Sequence, residues 1–64
     1  MKHYVTLGQL LWLEALYRVR AQCSAYDFMT EHDLGPDTVV NAARAWGFKI
    51  PQTMKKWLVE VYND

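Results

Sequence analysis

Apolar residues recur along this chain at helical spacing, in four runs. The first and longest covers residues 6–23, TLGQLLWLEALYRVRAQC, with one glycine and no proline, and is read as one helix running to about Gln22. At about 100° per residue, Val5, Trp12, Ala15, Leu16, Val19 and Cys23 share one face. Leu7, Leu10, Leu13, Tyr17 and Ala21 spread over the opposite side. Polar residues keep two narrow strips, Gln9 with Arg20, and Glu14 with Arg18 and Gln22. A surface helix of a small domain normally carries one apolar stripe, so a helix with two needs two partners. The pattern predicts the Trp12 face in the core and the second face, Leu7, Leu10, Leu13, Tyr17 and Ala21, against another copy of the chain.

The rest of the chain has sharper punctuation. Residues 1–5 read as a short extended tail. Thr6 is an N-cap with Gln9 at the capping-box position. Ser24 with Asp27, and Thr30 with Asp33, both offer an N-cap for a second helix, so its start is ambiguous; a short helix over about 25–33 places Ala25, Phe28, Met29 and His32 on one face. In Leu34-Gly35-Pro36-Asp37, Gly35 is the expected stop of that helix and Pro36 the first residue of the next. Asp37 then lies at the positive end of the helix dipole. The third helix, about 36–46, turns Val39, Ala43 and Trp46 inward, with Gly47 as its C′ residue and Phe48 folding back on its last turn. The fourth, about 51–62, carries Met54, Trp57, Leu58 and Val61 at i, i+3, i+4 and i+7, the cleanest amphipathic pattern in the chain. No segment shows strand alternation or an internal repeat. The expected fold is all-α, one domain over residues 1–64 built from a long helix, two short helices around a Gly-Pro turn and a closing amphipathic helix.

Length sharpens the need for a partner. A domain of 64 residues buries only about 60% of its unfolded surface, and folds of this size usually rely on disulfides, a metal or oligomerisation. The single cysteine, Cys23, excludes an internal disulfide and fits a reducing, cytoplasmic setting. No metal motif is present, which leaves oligomerisation. Although 52% of the residues are hydrophobic, no apolar run is long enough to cross a membrane. The N-terminal apolar stretch is broken by Gln9 and Glu14 and lacks a small-residue cleavage site, so it is not read as a signal peptide.

Candidate chemistry is sparse. Glu31-His32-Asp33 is the densest polar cluster, but neighbours on a helix point about 100° apart and do not converge on one ion. His3 is distant in sequence. His32 is read as solvated or packed beside Phe28. Cys23, on the core-facing stripe at the end of the first helix, is read as buried and inert. There is no phosphate loop, nucleophile elbow or carboxylate pair in a cleft. The expectation is a non-enzymatic protein with no cofactor, no metal and no catalytic residue.

Charge is segregated although the net charge is zero. Asp27, Glu31, Asp33 and Asp37 form an acidic block, and the cations Arg44, Lys49, Lys55 and Lys56 follow with no acid among them. The paired short helices resemble the helix-turn-helix of DNA-binding regulators: Phe28 and Met29 are buried candidates on the first helix, Leu34-Gly35 matches the leucine-glycine of the turn, and Val39, Val40 and Ala43 anchor the second. The resemblance leaves Thr38, Asn41 and Arg44 free to reach bases, with Lys49, Lys55 and Lys56 as further nucleic-acid contacts. Against it, Glu31 occupies the usual small-residue position, Pro36 shortens the turn, and four acids crowd the end that would approach phosphates. The leading expectation is therefore a small helical interaction protein that forms a two-fold homodimer and modulates a protein partner. The second is a dimeric helix-turn-helix DNA-binding regulator. A membrane-surface role is disfavoured, because the first helix has no cationic face.

Overall fold

A computed structural model describes residues 5–63. Among them are four α-helices and no strand: α1 (Leu7–Arg18), α2 (Gln22–Glu31), α3 (Pro36–Trp46) and α4 (Gln52–Tyr62). Helix α4 packs on all three others, and α1 likewise touches α2, α3 and α4, whereas α2 and α3 do not approach one another closely. Helices α1 and α4 thus form a central pair with α2 and α3 on either side, and the 32–35 link joins the two members that lie apart. The expected tail at 1–5 falls outside the described residues except for Val5, which is buried.

Three of the four helix starts follow from a local signal; α2 begins after Ala21 with no side-chain cap. Thr6 caps α1 through a full capping box: its hydroxyl accepts from the Gln9 amide at 3.1 Å, and the Gln9 side chain accepts from the Thr6 amide at 2.9 Å. Pro36 opens α3, with Asp37 in the first turn. Pro51 precedes α4 as its N-cap, one residue earlier in role than the pattern suggested.

The helix ends share one device. After α1, α2 and α3 the chain places one residue in the left-handed region: Arg20 (φ 55°), Asp33 (φ 55°) and Gly47 (φ 73°). In each case the next amide reaches back to the carbonyl five residues earlier. Ala21 donates to Leu16 at 2.9 Å, Leu34 to Met29 at 2.7 Å and Phe48 to Ala43 at 2.7 Å. The left-handed residue itself donates three residues back, to Tyr17, Thr30 and Arg44 respectively. These are three Schellman caps, and only one carries the glycine that normally marks such a cap.

The first of these caps corrects the reading of residues 6–23 as one rod. The helix stops at Arg18, and residues 22–23 open α2 instead of closing α1. A second correction concerns Gly35, expected to stop α2. Asp33 does that, and Gly35 is the extended N-cap of α3.

The core holds Val5, Leu10, Leu13, Leu16, Ala25, Met29, Leu34, Val39, Ala43, Met54, Trp57, Leu58 and Val61. All four α4 positions expected inside are there, as are Ala25, Met29, Val39 and Ala43. Tyr17 seals the α1–α4 corner. Its hydroxyl lies 2.7 Å from Thr53 Oγ1, and its ring meets Trp57 edge-on at 5.5 Å.

Candidate interaction surfaces

The break after Arg18 reverses the faces of α1. Leu10 and Leu13, assigned to a dimer interface, are fully buried within the single chain, and Tyr17 and Ala21 are packed against the core. Trp12 and Val19, assigned to the core, are exposed (52% and 73%). The physical reason is a matter of counting. Val19 and Cys23 strengthened the Trp12 stripe only while the helix was drawn through them. With α1 ended at Arg18, the side with Leu10, Leu13 and Tyr17 holds more bulky apolar groups and turns inward, with Leu16 at its margin. Of the five proposed interface residues, only Leu7 is exposed.

The outward face of α1 now carries Leu7, Leu11, Trp12 and Ala15, all exposed. They span an arc of about 140° on the helix. Glu14 lies at the edge of that arc, and Arg18, exposed in the last turn of α1, lies on it and pairs with Glu14 at 3.6 Å. Leu11 carried no signal in the sequence reading, because it sat between two stripes that each looked more complete. Trp46 was also expected inside. It is exposed by 54%, with its indole N–H donating to the Val5 carbonyl at 2.7 Å, which ties the end of α3 to the start of α1.

The candidate nucleic-acid residues do not form one surface. Asn41, Arg44, Lys49 and Lys56 are exposed, and Thr38 and Lys55 are half-buried. Arg44 and Lys49 flank a shallow concavity of about 230 Å³ floored by Val40, Ala43, Phe48 and Ile50, and neither Lys55 nor Lys56 lines it. In a helix-turn-helix the two helices pack on each other; here α2 and α3 are held apart by α1 and α4.

A larger groove of about 530 Å³ lies between α2 and α4, lined by Gln22, Cys23, Tyr26, Asp27, Glu60 and Val61. Cys23 is exposed in it, not buried as expected, because it belongs to the first turn of α2. A thiol reagent at neutral pH should therefore label Cys23 completely in the folded protein, at a rate close to that in denaturant. Labelling that waits for unfolding would contradict this placement. His32 stacks on Phe28 with ring centroids 4.6 Å apart and stays exposed. Among the described residues no three His, Cys, Asp or Glu side chains gather to hold a metal, and no helix is long and apolar enough to cross a membrane. Comparison with protein-family models, curated proteins and solved structures finds no match.

Proposed function

We propose that this chain is a small non-enzymatic interaction protein that pairs with a second copy through the outward face of α1 and in that form modulates a protein partner. One observation carries the reading: Leu7, Leu11 and Trp12, exposed by 39%, 48% and 52%, lie on one helix face, where the nearest charges are Arg18 at the far end of α1 and the Glu14 that pairs with it. Contiguous exposed apolar groups of this kind mark contact surfaces, and tryptophan is prominent among residues that dominate binding. A second copy suits the face because a two-fold contact uses the same patch twice. A net charge of zero adds no repulsion between copies. Twelve residues make α1 about 18 Å long, so two such faces bury less than the roughly 1,600 Å² of a standard interface. The dimer is accordingly weak, with a dissociation constant on the order of micromolar.

Sedimentation over a wide concentration range, in salt high enough to screen contacts between charges, tests this. Wild type should approach twice the chain mass at high concentration. Trp12→Asp should remain at the chain mass with an unchanged helical circular dichroism spectrum, since Trp12 supports no part of the core. Wild type that stays at the chain mass throughout, or a folded Trp12→Asp protein that still pairs, removes the reading.

The alternative, a DNA-binding regulator, is supported by the exposure of Asn41, Arg44, Lys49 and Lys56. The separation of α2 from α3 weighs against it. Duplex DNA at low salt, where the phosphate attraction is strongest, is its decisive probe.

A further inference from the structure

The two concavities of the molecule carry opposite charge. In the α2–α4 groove the charged lining groups are both carboxylates, Asp27 and Glu60, beside the apolar Tyr26 and Val61. Outside the lining, Glu31 follows Asp27 by one helical turn and Lys56 precedes Glu60 by one, and both are exposed. In the concavity at the end of α3 the charged lining groups are both cations, Arg44 and Lys49. All four side chains are exposed, and none makes an ion pair among the described residues. The two sites share no lining residue and no helix: the first is built from α2 and α4, the second from α3 and the link after it. Two surfaces of opposite sign that leave each other unpaired in one chain are complementary between chains. The zero net charge means that no overall repulsion opposes that encounter.

We infer that copies of this chain associate head to tail, with the Arg44–Lys49 edge of one copy seated on the Asp27–Glu60 groove of the next. Both cations have long, flexible stems that cover apolar surface while the charge reaches an acid. The groove offers them that combination: Tyr26 and Val61 for the stems, Asp27 and Glu60 for the heads. The contact is heterologous, so each copy keeps one unfilled groove and one unused edge. Association continues into rings or open chains and does not stop at two. It is independent of the α1 face in residues and in physics: it is electrostatic and salt-sensitive, whereas the α1 contact is apolar and keeps its strength in salt.

Sedimentation of wild type at low salt and in about 0.5 M salt, where charges more than roughly 4–5 Å apart are screened, separates the two contacts. The mean mass should rise above twice the chain mass at low salt and fall back in high salt. Trp12→Asp should lose the salt-resistant step and retain the salt-sensitive one. Arg44→Glu with Lys49→Glu, or Asp27→Lys with Glu60→Lys, should each abolish the low-salt rise. An equal mixture of the two reversed proteins should restore a salt-sensitive complex, because one now carries acids on both surfaces and the other bases on both. Cys23 lines the groove and gives a readout on wild type alone. Its labelling rate should fall several-fold as protein concentration rises at low salt, and recover in high salt. A mass independent of salt, reversed proteins that associate as wild type does, a mixture that stays apart, or labelling indifferent to concentration would each overturn the inference.

Discussion

Leu13→Ala should lower the stability of the folded chain by about 2–5 kcal/mol, the range for removing a fully buried leucine and leaving a partial cavity. Leu13 is 0% exposed in the single chain, so the loss appears in the monomer. A domain of this length has a total stability of roughly 3–10 kcal/mol, so the substitution consumes much of it. Denaturant melts below the dimer dissociation constant are the measurement. Trp12→Ala, on the opposite face of the same helix, should move the same melt by no more than about 0.5 kcal/mol, as surface substitutions usually do. The comparison reads the rotation of α1 directly. Had Leu10, Leu13 and Tyr17 faced a partner, Leu13→Ala would disturb pairing and leave the monomer melt in place.

Replacing Arg20 should show the break after α1 as a change of sign. At a helix interior, glycine is less favourable than alanine by roughly 0.5–1 kcal/mol. At a left-handed position the order reverses, because an L side chain there costs about 1–2 kcal/mol that glycine avoids. Arg20 has φ 55°, so Arg20→Gly should be more stable than Arg20→Ala by about 1 kcal/mol. Both substitutions remove the same side-chain contacts, the guanidinium 4.0 Å from the Tyr17 ring centroid and its bond to the Tyr17 carbonyl, so their difference isolates the backbone. Alanine above glycine would mean that the helix runs through residue 20.

That position also explains which parts of the fold were legible in the sequence. Helix α3 is bounded by Pro36 and Gly47 and lies where the pattern placed it; α4 has one apolar stripe, and every residue of that stripe is buried. Residues 6–23 have no such punctuation. The turn between α1 and α2 is made by Val19, Arg20 and Ala21, none of which is a turn-former by propensity. Its support is a stacked arginine and the backbone hydrogen bonds donated by Arg20, Ala21 and Gln22, which exist only once the chain is folded. With the stop hidden, the helical wheel counted residues of α2 toward α1 and chose the wrong face as core. That single error propagated to Trp12, Cys23 and the proposed interface. At α2 the stop was displaced for a related reason. Asp33 tolerates the left-handed region and took the role expected of Gly35, which freed Gly35 to cap α3. The opposite charge of the two concavities was half visible. The acidic and basic blocks stand out along the chain, but only the fold brings Glu60 beside Asp27 and leaves Lys55 and Lys56 away from Arg44 and Lys49.

Helix α4 contributes Met54, Trp57, Leu58 and Val61 to the core and touches every other helix. During synthesis, then, α1, α2 and α3 emerge before the helix that all three pack on, and α2 and α3 meet only α1 until it follows. The core that Leu13, Met29 and Val39 share with Leu58 is complete only when α4 is in place. A fragment that ends before α4 should therefore unfold without the cooperativity of the whole domain and be cut far faster by proteases.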